Sequence, residues 1–243
     1  MAYAGDEATP KAPAYANGMV YTGAVGEWCF SAFGASGCVG LTYLAAFDGG
    51  GNFRWRTADM TPIFNAGGGT LGSSQAVVNG VVYIGSVDQS GYPTTTVGRI
   101  DAFDANGNTN CSGTPKMCDP LWTASTGGGI HSAPAVANGV VYVGSDDGKL
   151  YAFDTGGNLL WTARIAAGGG FMYSSPAVAN GVVYVGLYAF DATGNTNCSG
   201  TPKTCTPLWT GGTGGNIASS PAVSNGMVYV VSTDGKLHAF GLP

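Results

Sequence analysis

The chain has 243 residues and a formal net charge of −5 at pH 7, and only 9% of its residues are charged whereas 42 are glycine. Its Lys and Arg residues are too few for the clustered basic surface that nucleic-acid binding requires, so no nucleic-acid partner is expected. No apolar run approaches the roughly 18 uninterrupted residues of a transmembrane helix, so the sequence predicts no membrane span.

Copies of one pattern follow each other along the chain. Each copy has a run of small residues, an Asn-Gly dipeptide, an apolar segment and an Ala-Phe dipeptide. The Asn-Gly dipeptides begin at Asn17, Asn79, Asn138, Asn180 and Asn225, and the Ala-Phe dipeptides at Ala46, Ala102, Ala152, Ala189 and Ala239. Such a period indicates one supersecondary unit stacked against copies of itself. We expect a single domain over residues 1–243, with units at approximately 12–58, 70–124, 129–163, 171–210, and 217–243 together with 1–5.

Each copy is predicted to form four antiparallel strands. In the third copy, Asn138-Gly139 provides the positive φ angles of a type I′ hairpin turn, and Asp147-Gly148 and Gly156-Gly157 mark the next two turns. No segment shows a sustained helical period, so helices should be nearly absent. Four-stranded units repeated radially are the blades of a β-propeller, and the predicted fold class is an all-β propeller.

The first, second and fourth copies depart from this pattern in the length of the segment between their second and third strands. The first and second have unusually long segments between their second and third strands, at 25–42 and 88–99. The fourth has almost no turn between Val185 and Tyr188, which indicates either a compressed hairpin or a lost segment.

The fifth copy ends at Pro243 before any fourth strand. We expect Met1–Gly5 to provide that strand and to close a ring of five blades, although this segment has Tyr3 where a Trp is expected. A fragment of a larger propeller is the alternative.

The stretch Ala-Phe-Asp-x-x-Gly followed by Trp resembles the tryptophan-docking repeat of the quinoprotein-type propellers, also called PQQ-like repeats. That superfamily includes pyrroloquinoline-quinone dehydrogenases and the non-catalytic BamB-like outer-membrane assembly propellers, to which this chain is most similar. The resemblance covers nearly the whole chain. It implies that each motif tryptophan packs between neighbouring blades as a structural residue, namely Trp55, Trp122, Trp161 and Trp209.

The six cysteines fall into three local pairs, Cys29 with Cys38, Cys111 with Cys118 and Cys198 with Cys205. The second and third pairs sit in near-identical inserts between the third and fourth strands. Even number, local pairing and duplication favour disulfides, whereas the absence of nearby His or a CxxC spacing disfavours zinc. Disulfides imply an oxidising compartment, so we expect a secreted, periplasmic or cell-surface protein, although residues 1–7 do not read as a signal peptide.

Catalytic chemistry is hard to find in this sequence. His238 takes the place of Tyr151 in the repeat alignment, and His131 beside Ser132 lacks a third group. The repeated aspartates, from Asp48 to Asp191, read as turn acceptors. The related dehydrogenases use more blades, bound calcium and often adjacent cysteines, none of which is matched here. We therefore expect no catalytic residues, no cofactor and no metal site.

Aromatic side chains suggest a binding surface instead. The two long segments carry Trp28, Phe30, Phe33 and Tyr92, and His131 and Tyr173 are expected near the mouth of the central channel. Aromatic groups on preorganised loops suit protein or sugar partners. The competing interpretation is that these aromatic side chains only cover the core locally. The sequence thus predicts a secreted, non-catalytic protein-interaction scaffold. The alternatives are a carbohydrate-binding propeller and, third, a fragment of a quinone-dependent oxidoreductase.

Overall fold

The strands of the described residues form five consecutive sheets, which are antiparallel except where an inserted hairpin pairs in parallel with a neighbouring blade. The structure, a computed structural model, describes residues 12–32, 35–58, 70–88, 97–165, 173–217 and 219–241. Every regular element in these ranges is a β-strand, which confirms the predicted all-β class. Accordingly, none of the described residues forms a helix of the kind that crosses a bilayer.

Blades 1 and 2 run from the inner to the outer strand as the chain proceeds. Blade 1 consists of β1 (Ala14–Ala16), β2 (Met19–Ala32), β3 (Ala35–Asp48) and β4 (Phe53–Thr57). Blade 2 follows with β5 (Thr70–Leu71), β6 (Ala76–Val78), β7 (Val81–Asp88), β8 (Val97–Asp104), β9 (Cys111–Ser112), β10 (Met117–Cys118) and β11 (Trp122–Thr126). Its sheet has the order β11-β8-β7-β6, with β5 paired to the end of β7.

Blades 3 to 5 repeat the same course. Blade 3 consists of β12 (Ala135–Ala137), β13 (Val140–Ser145), β14 (Lys149–Asp154) and β15 (Leu159–Arg164). Blade 4 has β16 (Ala177–Ala179), β17 (Val182–Val185), β18 (Tyr188–Asp191), β19 (Cys198–Ser199), β20 (Thr204–Cys205) and β21 (Trp209–Thr210). Blade 5 has β22 (Ala222–Ser224), β23 (Met227–Val231) and β24 (Leu237–Gly241).

The Asn-Gly dipeptides form the first hairpin turn of every blade. Asn138 has φ 51° and Gly139 has φ 77°, and the turn joins Ala137 directly to Val140 in the ladder. The other four copies have nearly the same two angles. Two successive residues with positive φ define the type I′ turn, whose twist matches that of the strands it connects.

Hydrophobic clusters lie between successive sheets. In the described part of the chain there are four such clusters, which join blades 1 and 2, 2 and 3, 3 and 4, and 4 and 5. Trp55 and Trp161 are almost completely buried in theirs. The indole N–H of Trp55 donates to the Ala105 carbonyl of blade 2 at 3.0 Å, and that of Trp122 donates to the Thr155 carbonyl of blade 3 at 2.7 Å.

The two duplicated inserts form short hairpins that leave their own blade. The hairpin β9–β10 of blade 2 pairs in parallel with β4 of blade 1, and β19–β20 of blade 4 pairs in parallel with β15 of blade 3. The predicted bridges Cys111–Cys118 and Cys198–Cys205 close these hairpins and are confirmed. The predicted four-stranded units are confirmed in blades 1 to 4. In blades 1 and 3 the insert of the next blade adds two further strands at an outer edge that would otherwise be unpaired, so these sheets have six strands.

Two sequence irregularities have structural outcomes. Blade 4 has a compressed hairpin, in which Val185 pairs with Tyr188 across the two-residue turn Gly186-Leu187. In blade 5, β24 pairs only with β23 among the described residues. The predicted fourth strand at Met1–Gly5 lies outside the described residues, so closure of the ring stays a prediction.

Candidate functional site

One face of the propeller collects the segments that connect the blades. The Asp146 N–H at the β13–β14 turn donates to the Gly129 carbonyl at 2.9 Å, and the Ser145 hydroxyl donates to the Gly128 carbonyl at 3.0 Å. The turns after the second strands and the connections between blades thus share a face, which we call the entry face. The inserted hairpins begin from the turns at the opposite ends of the strands.

A repeated serine fixes each connection to its blade. The Ser132 hydroxyl accepts from the Gly144 N–H at 2.9 Å, and the Ser174 hydroxyl accepts from the Gly186 N–H at 3.0 Å. The residue that precedes this serine is thereby held at a defined place on the entry face. In blades 3 and 4 that residue is His131 and Tyr173, which the sequence had marked as binding candidates.

The structure brings these two candidates together. The ring centroids of His131 and Tyr173 are 5.4 Å apart at an interplanar angle of 46°. The Nε2 atom of His131 lies 3.1 Å from a carboxylate oxygen of Asp146. Tyr173 is 65% exposed, so it presents an aromatic surface to solvent beside a polar pair. This arrangement can stack on an apolar or sugar ring and exchange hydrogen bonds with neighbouring hydroxyl or amide groups.

The same geometry does not provide a nucleophile. Ser132, the sequence neighbour of His131, is fully buried, and its hydroxyl exchanges hydrogen bonds with the backbone of Gly144. A nucleophile and its base must lie within hydrogen-bonding reach of each other and of a substrate. Ser132 therefore has a structural role.

A long β-hairpin arises from the entry face of blade 1. Beyond the blade, β2 and β3 continue as a ribbon from the pair Ala24–Tyr43 to the pair Ala32–Ala35. We call residues 24–43 the arm, and at roughly 3.4 Å per residue its nine pairs reach about 30 Å. The sequence predicted a long loop at 25–42, whereas the antiparallel ladder continues through this segment as far as the pair Ala32–Ala35.

The other predicted binding residues fall on or beyond the arm. Trp28 and Phe30 lie on β2 within it, whereas Phe33 and Tyr92 lie outside the described residues. Cys29 and Cys38 are direct cross-strand partners in the arm. Their register agrees with the predicted bridge, which stays a prediction.

His238 takes part in a structural brace at the β23–β24 turn. Its Nε2 atom lies 3.0 Å from an Asp234 carboxylate oxygen. In blade 3 the Tyr151 hydroxyl donates to Asp147 at 2.6 Å in the same way. Burial acts to raise the pKa of Asp147, but hydrogen bonds, led by that from Tyr151, outweigh it and lower this pKa. His238 thus replaces Tyr151 as the partner of a turn aspartate.

One buried carboxylate was not predicted from the sequence. Asp101 of β8 is completely buried, accepts from the Thr123 hydroxyl at 2.7 Å and pairs with the Arg99 Nε at 2.9 Å. Burial raises the pKa of Asp101, and Arg99 and Thr123 oppose this only in part. Asp101 occupies the position that Tyr151 has in the third copy of the repeat. An aspartate in place of an aromatic residue was the sequence feature from which a special role could have been predicted. Because the side chain of Asp101 is not accessible to solvent, it serves as the partner of Arg99 in an ion pair and does not bind a ligand.

The described residues do not form a metal site. Among them, no group of three or more His, Cys, Asp or Glu side chains comes together. The repeated turn aspartates are occupied by backbone donors, as at Asp104, which accepts from the N–H groups of Asn106, Asn108 and Thr109.

Comparisons with known proteins agree with this architecture. The family model described as outer membrane protein assembly factor BamB matches residues 40–163, 98–199 and 157–241. No curated protein matches the chain in sequence. Among solved structures, BamB from Moraxella catarrhalis is 20% identical to this chain with a TM-score of 0.54. The alignment covers 94% of this chain and 66% of the BamB chain. The computationally designed Ika8 protein is 13% identical to this chain with a TM-score of 0.52, and the alignment covers 96% of this chain and 71% of the Ika8 chain. At these identities the likeness shows the propeller fold alone.

Proposed function

Because the chain belongs to the BamB-like family of PQQ-repeat propellers, we propose that it is a secreted, non-catalytic scaffold that binds a protein partner through its entry face. The observation that carries this proposal is the arm, a two-stranded ribbon raised about 30 Å from that face. A propeller that projects such a ribbon has a form suited to the recognition of another protein rather than to the enclosure of a substrate.

The arm offers a specific mode of recognition. Within the described residues, its two strands pair only with each other, so each has an outer edge of backbone N–H and carbonyl groups. An extended segment of a partner can add to such an edge as a further strand, and side chains then give specificity. Trp28 and Phe30 on β2 are the residues we expect to provide it.

Compartment and partner class follow from two further observations. The bridges Cys111–Cys118 and Cys198–Cys205 are consistent with an extracytoplasmic protein, since disulfides persist in oxidising compartments. The matched family model carries the description of an outer membrane protein assembly factor. We propose that this chain likewise contacts other proteins of the cell envelope during their assembly.

Site-specific photocrosslinking in the source cells tests the proposal. In three separate variants, a photoreactive phenylalanine replaces Trp28, Tyr173 or Ser199. The first two positions lie on the entry face, and Ser199, an exposed residue of an insert at the outer rim, is the control. We expect discrete crosslinked proteins from the first two positions and none from the third. A second form, in which Asn-Gly replaces residues 25–42, should lose the crosslinks from Tyr173 while keeping the fold. Crosslinks from Ser199 alone, or none from the entry face, would contradict the proposal.

A carbohydrate-binding function is the second candidate. It is favoured by the exposed ring of Tyr173 beside the His131–Asp146 pair, since sugars stack on such rings and bond to neighbouring polar groups. Calorimetric titration with cell-envelope oligosaccharides distinguishes the two functions. Under this function Tyr173→Ala abolishes binding, while Tyr15→Ala, a change at an equally exposed tyrosine of blade 1, leaves it intact. Absence of saturable binding would remove this candidate.

A further inference from the structure

The insert of blade 2 joins blade 1 to blade 2 at the outer rim. Met117 and Cys118 of β10 pair in parallel with Arg56 and Thr57 of β4. The Arg56 N–H donates to the Lys116 carbonyl at 3.1 Å, and the Lys116 ammonium donates back to the Gly107 carbonyl at 2.9 Å. The disulfide fixes the hairpin that makes these bonds. We call this arrangement a rim clamp.

A second rim clamp joins blade 3 to blade 4 through hydrogen bonds between equivalent atoms. The Thr162 N–H donates to the Lys203 carbonyl at 3.0 Å, and the Lys203 ammonium donates to the Gly194 carbonyl at 2.9 Å. Thr162 and Ala163 pair in parallel with Thr204 and Cys205. The two clamps therefore occur at alternate interfaces, in blade pairs 1–2 and 3–4.

The interface between blades 2 and 3 has no rim clamp. All residues of β8, β11, β14 and β15 are described, and β11 is the last strand of its sheet. The turn between β14 and β15 runs directly from Asp154 to Asn158, without an insert that reaches β11.

A second type of link, between the segments that precede the first strands of neighbouring blades, is missing at the same interface. The Ala12 N–H of blade 1 donates to the Ser74 hydroxyl of blade 2 at 3.2 Å. The Ala133 N–H of blade 3 donates to Ser175 of blade 4 at 2.9 Å, and the Ser175 N–H donates to Ser220 of blade 5 at 2.9 Å. The acceptor position in blade 3 is Ala133, which has no hydroxyl, so blade 2 cannot make this bond.

Blades 2 and 3 are held mainly by apolar packing. The cluster between them includes Tyr83, Val141, Phe153 and Ile130 of the connecting segment. Among the described residues, the indole N–H of Trp122 donates to the Thr155 carbonyl, and the N–H of Gly127, which directly follows β11, donates to the Tyr151 hydroxyl of β14 at 3.1 Å. Hydrophobic contact is non-directional, whereas paired strands and hydrogen bonds fix an angle. An interface that has neither a rim clamp nor a serine link therefore constrains the angle between its two sheets less than a clamped interface does.

We propose that blades 1–2 and blades 3–4 are two clamped modules and that the interface between blades 2 and 3 is a hinge. The arm belongs to the first module, whereas His131 and Tyr173 belong to the second. Bending at the hinge changes the separation of these surfaces on the entry face. The hinge does not depend on the proposed function, because it follows from the positions of the rim clamps and of the serine links.

Spin labels at equivalent positions measure the freedom of each interface. The third residue after each motif tryptophan is exposed in blades 1 to 4, at Ala58, Ser125, Arg164 and Gly212. Cysteine pairs at 58/125, 125/164 and 164/212 are labelled with the native disulfides intact, and pulsed electron paramagnetic resonance gives their distance distributions. We expect the widest distribution for 125/164. Equal widths, or a wider distribution for either clamped pair, would overturn the hinge.

Two variants test its cause. Ala133→Ser restores the missing acceptor and is expected to narrow the 125/164 distribution alone. The double variant Cys111→Ser with Cys118→Ser releases one clamp and is expected to widen the 58/125 distribution while leaving 164/212 unchanged. If Ala133→Ser leaves 125/164 as wide as before, or if the double variant widens all three pairs equally, the assignment of the hinge to missing links is wrong.

Discussion

Glycine and tryptophan form a repeated pair at the level of single residues. The motif glycines Gly107, Gly157 and Gly194 have φ between 65° and 86° and lie against the indole ring of the preceding blade. A Cβ at Gly194 would overlap the ring of Trp161, and one at Gly107 would overlap Trp55. The motif thus needs glycine both for its turn and for the close approach of the next blade.

Gly194→Ala is expected to destabilise the fold by about 2–4 kcal/mol, because it adds overlap in a packed core to the strain of a positive φ. Gly139→Ala is the matched control, since Gly139 also has a positive φ but has no atom within 4 Å of the position of a Cβ. The control should cost about 1 kcal/mol. Urea unfolding gives both values, and equal costs would show that the overlap is relieved without penalty.

Turn aspartates give the protein a defined response to acid. Partial burial acts to raise the pKa of Asp191, but the N–H groups of Thr196 and Thr193 outweigh it and lower this pKa to about 2. A carboxylate with a lowered pKa stabilises the fold above its unfolded value of 3.8, and this contribution is lost as pH falls from about 4 towards 2. Asp101, whose pKa burial raises, has the opposite sign, so its contribution is lost as pH rises above 3.8.

We therefore expect Asp191→Asn to reduce the gain in unfolding free energy between pH 3 and pH 7, and Asp101→Asn to increase it. The latter removes a charge that burial disfavours and keeps an acceptor for Thr123. Urea unfolding at several pH values makes the comparison with the unmodified chain. Parallel profiles for the three proteins would contradict both assignments.

Short covalent loops stabilise two of the elements. A disulfide that closes a loop as short as that between Cys111 and Cys118 is worth about 2–3 kcal/mol by loop-closure entropy. Non-reducing peptide mapping is expected to find this bridge, Cys198–Cys205, and a third between the cross-strand partners Cys29 and Cys38. A bridge between different pairs would contradict the local scheme.

The outer edge of β24, which has no partner among the described residues, indicates what a neighbouring strand should contain. In each of blades 1 to 4 the motif alanine of the third strand is paired with a tryptophan: Ala46 with Trp55, Ala102 with Trp122, Ala152 with Trp161 and Ala189 with Trp209. The same rule places an aromatic residue opposite Ala239. Tyr3 is our prediction for this place.

A cysteine pair tests this closure. Tyr3→Cys with Ala239→Cys is expected to form a bridge within one chain under mild oxidation, because the two residues are then cross-strand partners. Tyr3→Cys with Ser224→Cys, on the inner strand of the same blade, should not. A bridge between chains, or none in the first variant, would contradict closure by the N-terminal segment.

At the level of the whole molecule, the proposed role is non-catalytic. The described residues bring no three metal-ligating side chains together, and the sequence has no adjacent cysteines. We expect no saturable heat of binding when pyrroloquinoline quinone and calcium are titrated in, and no dye-linked oxidation of alcohols or sugars. Micromolar binding with turnover would return the chain to the oxidoreductases of its superfamily.

The sequence alone determined the features that depend on neighbouring residues. Asn-Gly turns, the Ala-Phe-Asp-x-x-Gly motif and the inserted cysteine pairs are local signals, and each predicted its hairpin, turn or bridge because the interacting atoms lie within about ten residues of each other. Repetition of these signals then predicted stacked antiparallel sheets.

Only the tertiary structure decided which blade each edge meets. The pairing of Met117 with Arg56, the absence of a link at Ala133 and the burial of Asp101 all depend on contacts between segments far apart in sequence. The arm was missed for a related reason, since its cross-strand ladder rather than its side-chain pattern makes it a hairpin. Local propensity defines a blade, but the free edges and faces of neighbouring blades determine how the blades are joined.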